Sequence, residues 1–196
     1  MSRKKAKSVA KAIHAGDRKL GKRAAKVRDT LAARLTGQAA EVADQPPLFA
    51  LAAVTIAGGL LLRQRGIARA GVRMLAAHGL ATAAKSMVKR RVNRTRPAAE
   101  AEGHDYRAEP GHSAAPEDSS FPSGHTAGAV AVATAASHEL PAVAPVAGTA
   151  VGAVAAAQLP SGKHYLGDVI AGALIGWASA AIADALIDRL MGEPDT

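Results

Sequence analysis

Apolar residues recur along the first 36 positions at Val9, Ile13, Leu20, Ala24, Val27, Leu31 and Leu35, mostly three, four or seven apart. That spacing predicts an amphipathic helix with basic side chains on its other faces, of the kind that lies in a membrane interface. Gly16 and Gly21 weaken it and leave two shorter helices as the alternative. Five segments nearly free of charge follow. Gln45 to Leu62 is eighteen residues without a charge, opens on Pro46-Pro47 and stops before Arg63 and Arg65. It is long enough to cross a bilayer core of roughly 30 Å at about 1.5 Å per residue. Val72 to Val88 is poorer, because it carries Arg73, His78 and Lys85; the two cations are expected to snorkel outward along their aliphatic stems. Ser119 to His138, Leu140 to Gly162 and Val169 to Ala183 complete the set.

The polar residues lie between these runs, as spans and loops require, and five such segments would leave a soluble protein little polar surface to display. The expected fold is therefore all-α: a multi-pass transmembrane helix bundle of about five spans, preceded by a basic amphipathic helix. It divides into a basic amphipathic N-terminal segment (1–45), a membrane domain (46–190) and a tail (191–196). Gly148 and Gly152, and Gly172 and Gly176, have the four-residue spacing that lets helix backbones approach within a membrane.

Charge changes this picture at one place. The chain carries a net charge of +9, yet residues 1–35 alone hold twelve Lys and Arg against Asp17 and Asp29, so the remainder is nearly neutral. Such a segment suits an anionic lipid surface or nucleic acid. It has no aromatic stacking residue and no nucleic-acid fold, which argues against the second partner. No apolar core or cleavage pattern follows the basic start, so it does not read as a signal peptide. The absence of cysteine excludes disulfides and thiolate metal sites. The acidic stretch from Pro97 to Ser120 holds His104 and His112, but without ligand spacing it reads as a solvated loop, and no metal site is expected.

Three short stretches gather the reactive side chains. In Lys89 to Pro97, Lys89 and Arg96 are seven apart, which on a helix puts both on one face, although basic residues beside a membrane helix are ordinary. In Phe121 to His125, a Pro-Ser-Gly-His run enters an apolar helix. That is either a plain turn with an N-cap or an anion cradle of orphan N–H groups. In Ala157 to Asp168, His164 and Asp168 stand one helical turn apart; the carboxylate would accept from one ring nitrogen and leave the other as a nucleophile.

Taken in order, these stretches resemble the type 2 phosphatidic acid phosphatase (PAP2) superfamily, whose active-site pattern is similar to that of the vanadium haloperoxidases. Lys89, Arg96 and Pro97 match its first motif, Pro122, Ser123, Gly124 and His125 its second, and His164 and Asp168 the end of its third. The likeness covers about residues 46 to 190. It implies an integral-membrane lipid phosphatase that uses no metal or other cofactor: His164 attacks phosphorus, Asp168 orients it, and His125 protonates the leaving oxygen. Lys89, Arg96, Ser123 and Gly124 would hold the phosphoryl oxygens. The implied substrate is a lipid phosphate such as phosphatidic acid, a phosphatidylglycerol phosphate or a polyprenyl diphosphate. The short apolar chain argues against halogenation.

The third motif departs from the family where Ala157 and Gln158 replace Ser and Arg. Gln158 offers a neutral amide for a bidentate cation, with Lys163 or Arg94 as candidates to compensate. The alternative is a catalytically impaired homologue that binds lipid phosphates or anionic surfaces. With two spans before Lys89, the basic segment and all three motifs share one side of the cell membrane. The positive-inside rule makes that side cytoplasmic.

Overall fold

A computed structural model of the chain describes residues 3–113 and 115–191. All but the first residue of the expected tail, and the side chains of residues 3–10, Val9 among them, lie outside the described residues. The N-terminal segment forms one long helix, α1 (Arg3–Ala25), and a short one, α2 (Leu31–Ala39), capped by Thr30, whose hydroxyl accepts from Ala33 N at 3.3 Å. Helix α1 runs unbroken through both glycines. At Gly21 the absent side chain is what lets the helix lie against the Tyr165 ring, so packing outweighs propensity there.

Helices α3 (Gln45–Leu61), α4 (Arg65–Lys89), α6 (Gly124–Glu139), α7 (Ala144–Ala157) and α8 (Leu166–Met191) form the bundle. Pro46 and Pro47 occupy the first turn of α3, where a missing N–H costs nothing. The core between the helices is made mostly of Ala52, Ala77, Ala81, Ala131, Ala135 and Ala180, with Leu48, Met74 and Val132. Small side chains let the axes close up. Gly172 and Gly176 on α8 lie against the backbone oxygens of Ser123, the N-cap of α6, and Ala127 on α6, and a Cβ at Gly71 on α4 would meet Ile56 N of α3 at 2.6 Å. Gly148 and Gly152 meet nothing within 4 Å, because their face of α7 has no helix upon it. Large apolar side chains point outward instead: Val54, Leu61, Val146, Leu174 and Trp177 are all exposed.

The architecture is mostly helical, as expected, but the spans are uneven. Among the described residues, only α8, over Leu166–Leu190, is by itself long and apolar enough to cross a membrane. Residues Leu31–Ala43 and α3 pass together across a 49° bend. The reason is local: α6 has 16 residues and α7 has 14, while α4 carries Arg69, Arg73 and Lys85.

Two expectations need correction. Arg73 and Lys85 do not snorkel; both are buried, and Arg73 is fully enclosed. Its guanidinium meets Glu139 at 2.7 Å, Asp184 at 3.3 Å and Asp188, so α4, α6 and α8 are clamped together at one end of the bundle. The acidic stretch after Pro97 is also more than a loop. Strand β1 (Val92–Arg94) pairs antiparallel with β2 (Ala108–Pro110), Val92 opposite Pro110, and the one-turn helix α5 (Pro97–Ala101) lies between them. At the bundle end opposite Arg73 the first turns of α3, α6 and α8 gather with the last turns of α4 and α7, and there the hairpin and α1 pack.

Removing one partner of a buried ion cluster strands the others, at a cost of about 3–5 kcal/mol. Arg73→Met is therefore expected to lower the melting temperature of the detergent-solubilised protein markedly. An unchanged melting temperature would show that the clamp contributes nothing.

Candidate active site

The first stretch does not continue as a helix. Helix α4 ends at Lys89, and Arg96 N-caps α5 in an extended conformation (φ −70°, ψ 149°), the conformation Pro97 imposes on the residue before it. Lys89 and Arg96 thus reach the site from two elements, not from one helix face. Lys89 Nζ donates to Ser119 O at 2.8 Å and Ser119 Oγ at 3.1 Å. The Arg96 backbone N–H donates to Glu117 O at 2.7 Å, while its buried Nε has no hydrogen-bond partner among the described residues.

The second stretch builds the start of α6. Ser123 is fully buried and caps the helix, its Oγ accepting from Thr126 N at 3.4 Å. Its backbone N–H donates to Asp168 O at 3.0 Å, which ties α6 to α8. Gly124 and His125 form the first turn, whose N–H groups have no intrahelical acceptor and carry the positive end of the helix dipole.

The third stretch departs from expectation in its central hydrogen bond. His164 precedes α8 rather than lying on it, and its Nδ1 meets Ser120 O at 2.6 Å, while Asp168 Oδ2 is 3.9 Å away. A carbonyl oxygen only accepts, so Nδ1 carries the proton and Nε2 presents its lone pair. Asp168 is wholly buried and holds the frame around the ring. It accepts from Arg94 Nη1 at 2.5 Å, from Tyr165 N at 2.8 Å and from Ser120 Oγ, the hydroxyl of the residue whose carbonyl orients His164.

Charge in this corner is uneven. Arg94 is answered by Asp168 and by Asp17 at 2.8 Å. Lys85, Lys89 and Arg96 have no carboxylate oxygen within 4.0 Å among the described residues. Burial holds the His164 imidazole well below its ordinary value, and the charges of Lys89, Arg96 and His125 act in the same direction. Lys89, the last residue of α4, is pushed down to about 8, by burial first and then by the cations of Arg96 and Lys85. The result is a neutral imidazole facing a cluster of cations without counter-ions, an arrangement that suits an anion.

The candidates for replacing the missing arginine are otherwise engaged. Gln158 is buried, donates from Nε2 to Val154 O of the helix it caps at 3.0 Å, and leaves Oε1 without a hydrogen-bond partner among the described residues. Lys163 pairs with Glu41, whose other oxygen lies 3.3 Å from His125 Nε2. The Lys163 hydrogen bond holds the Glu41 carboxyl below its usual range, and His125 pulls the same way.

Sequence reasoning missed Ser120, Asp17, Glu41 and the direction of Lys85. Two of these left a signal. Lys85 precedes Lys89 by four, one helical turn, and Asp17 is the only acidic residue of α1. Asp17 also accepts from Gly167 N at 3.1 Å, and Arg18 pairs with Glu100, so α1 is docked on the site by polar contacts.

Comparison with known proteins gives the family and the fold. The sequence model of the PAP2 superfamily matches residues 70–190, more than half of the chain. No curated protein sequence matches. Among solved structures, the fold is similar to a transmembrane PAP2-type phosphatidylglycerolphosphate phosphatase from Bacillus subtilis, at 18% identity and a TM-score of 0.66 over 91% of this chain and 88% of that one. It is similar also to LpxE of Aquifex aeolicus, at 22% identity and a TM-score of 0.57 over 84% and 92%. With the three motifs converging at one end of a helical bundle and the family model covering their whole extent, the chain belongs to the PAP2 superfamily.

Proposed function

We propose that the chain is an integral-membrane lipid phosphatase that hydrolyses a phosphate monoester or diphosphate of a lipid through a phosphohistidine at His164. One observation carries this reading: a buried imidazole with Nδ1–H committed to Ser120 O stands near the cations of Lys89 and Arg96, which have no carboxylate oxygen within 4.0 Å among the described residues. The Nε2 lone pair attacks phosphorus, the bond to the lipid oxygen breaks, and His125 supplies the proton that oxygen needs. Water then attacks the phosphohistidine and gives a proton to His125, and the P–N bond returns its electrons to His164. Lys89, Arg96, the Ser123 hydroxyl and the first N–H groups of α6 balance the charge of the phosphoryl oxygens. No metal is needed, since those groups supply the charge.

The outward apolar side chains of α3, α7 and α8 suit a membrane, and a site at the bundle end suits a phosphate whose tail remains in lipid. Phosphatidic acid, phosphatidylglycerol phosphate and polyprenyl diphosphates all have that form. In this reading residues 46–190 are the phosphatase domain, with five membrane-crossing helices. Residues 1–45 are an appendage whose exposed Ile13, Leu20 and Val27, beside Lys19, Arg23 and Lys26, rest on anionic lipid. Since α1 docks at the site end, positive charge and active site share the cytoplasmic side. The rival reading, an impaired homologue that only binds lipid phosphates, draws on Gln158, which bonds its own helix instead of offering a cation.

Release of phosphate from these three lipid classes in detergent with a chelator tests the proposal. His164→Ala is expected to lose at least roughly 10⁴-fold in kcat, and His125→Ala about 10²–10⁴-fold. Binding without turnover by the native chain would instead establish the rival reading.

The pH profile of kcat/KM tests the electrostatics, because it reports groups of the free enzyme. His164, held well below its ordinary value, stays a free base in weak acid, so the nucleophile imposes no loss there. Lys89 loses its charge as pH rises through about 8, and kcat/KM is expected to fall with it. Lys89→Arg keeps the cation and should carry that limb to higher pH. Binding of inorganic phosphate, which needs no proton from His125, isolates the Lys89 charge: identical alkaline limbs of phosphate affinity in the two proteins would remove Lys89 from this role, since the ionisation of phosphate is common to both.

A further inference from the structure

We propose that Lys85 is a phosphate-binding residue, the third cation of the site, taking over the charge that position 158 lacks. The inference rests on the phosphatase reading and names a group outside the three motifs.

Lys85 is only 7% exposed, and among the described residues it has neither a hydrogen-bond partner nor a carboxylate within 4.0 Å. The nearest charge that answers it is Asp44 at the start of α3, which acts at a distance. A lysine so largely buried without a counter-ion is costly, and the other deeply buried cations, Arg73 and Arg94, are met by three and two carboxylates respectively. Such a charge is retained where a ligand supplies the anion.

Its position says which anion. Lys85 lies one turn before Lys89 on α4, on the same face. Its Nζ is 2.9 Å from where a Cβ of Gly124 would stand, so the ammonium rests against the first turn of α6, whose free N–H groups face the phosphate. The Lys85 charge is also among those that depress Lys89, which sets the two ammoniums at one locus. The remaining candidates are committed elsewhere: Lys163 to Glu41, Arg94 to Asp17 and Asp168, and the Gln158 amide to Val154 O. A phosphoryl group beside His164 would thus meet Lys89 and Arg96 from the hairpin side and Lys85 from within the bundle.

The test uses the full chain in detergent, with inorganic phosphate as the probe by calorimetry and lipid-phosphate hydrolysis in parallel. Lys85→Met is expected to weaken phosphate binding roughly tenfold or more and to lower kcat/KM about 10²–10³-fold. Without phosphate it should melt no lower than the native chain, since it removes an unpaired buried charge, and added phosphate should raise its melting temperature less. Lys85→Arg should retain most of the affinity, and Gln158→Arg in the Lys85→Met background should recover part of the lost rate. A residue serving only the packing would show the reverse: a lower melting temperature and no recovery.

Unchanged phosphate affinity in folded Lys85→Met overturns the inference. Should that variant not survive extraction, Lys85→Gln, of equal length, reads the same quantities. The two readings fail separately. A native chain that binds phosphate through Lys85 but hydrolyses no lipid overturns the phosphatase, whereas one that hydrolyses equally well without Lys85 overturns only the present inference.

Discussion

The Asp168 carboxylate is the constraint on which the corner depends. It is wholly buried, a state a carboxylate tolerates only when its lone pairs are met, and here Arg94, Ser120 Oγ and Tyr165 N meet them. Each partner comes from a different part of the chain: the strand after α4, the loop before α6, and the entry to α8. One side chain therefore sets the spacing of the three motifs. It also fixes Ser120, whose carbonyl selects the His164 tautomer, so Asp168 governs the ring through a backbone oxygen 2.6 Å from Nδ1 rather than by direct contact.

The network runs outward as well. Arg94 joins Asp168 to Asp17, and Asp17 also takes the Gly167 N–H at the head of α8. The N-terminal helix, which composition alone presents as a lipid-surface anchor, therefore also supports the candidate site. It docks there through Asp17, Arg18 and the packing of Gly21 on Tyr165, while Ile13 and Leu20, one turn to either side of Asp17, remain exposed.

What the sequence allowed one to read, and what it did not, divides along the range of the interactions. Hydrophobic runs located the bundle helices, since burial of apolar faces is a local property of composition. The motif order located Lys89, Arg96, Ser123, Gly124, His125, His164 and Asp168 at ends of those runs, and the fold brings those ends together. The errors concern partners distant in sequence. Local sequence around Arg73 points to snorkelling, because its partners Glu139, Asp184 and Asp188 are more than sixty residues away. The spacing of Lys89 and Arg96 suggests one helix face, because the pairing of β1 with β2 that breaks the helix depends on residues 108–110. The Ser120 carbonyl was invisible because a backbone acceptor leaves no mark in a side-chain pattern. Gly172 and Gly176 could be read and Gly148 and Gly152 could not, since the same spacing serves wherever a neighbouring helix happens to lie.

The central claim is that His164 Nε2 is a nucleophile that becomes covalently phosphorylated. Rapid-quench mass spectrometry under alkaline conditions, which preserve a phosphoramidate bond, tests it most directly during turnover of a lipid phosphate. The expected result is a transient phosphate on the peptide containing His164, formed and lost at rates compatible with kcat and persisting longer in His125→Ala. Turnover without any phosphate on that peptide, with the label on another side chain or on none, would contradict it.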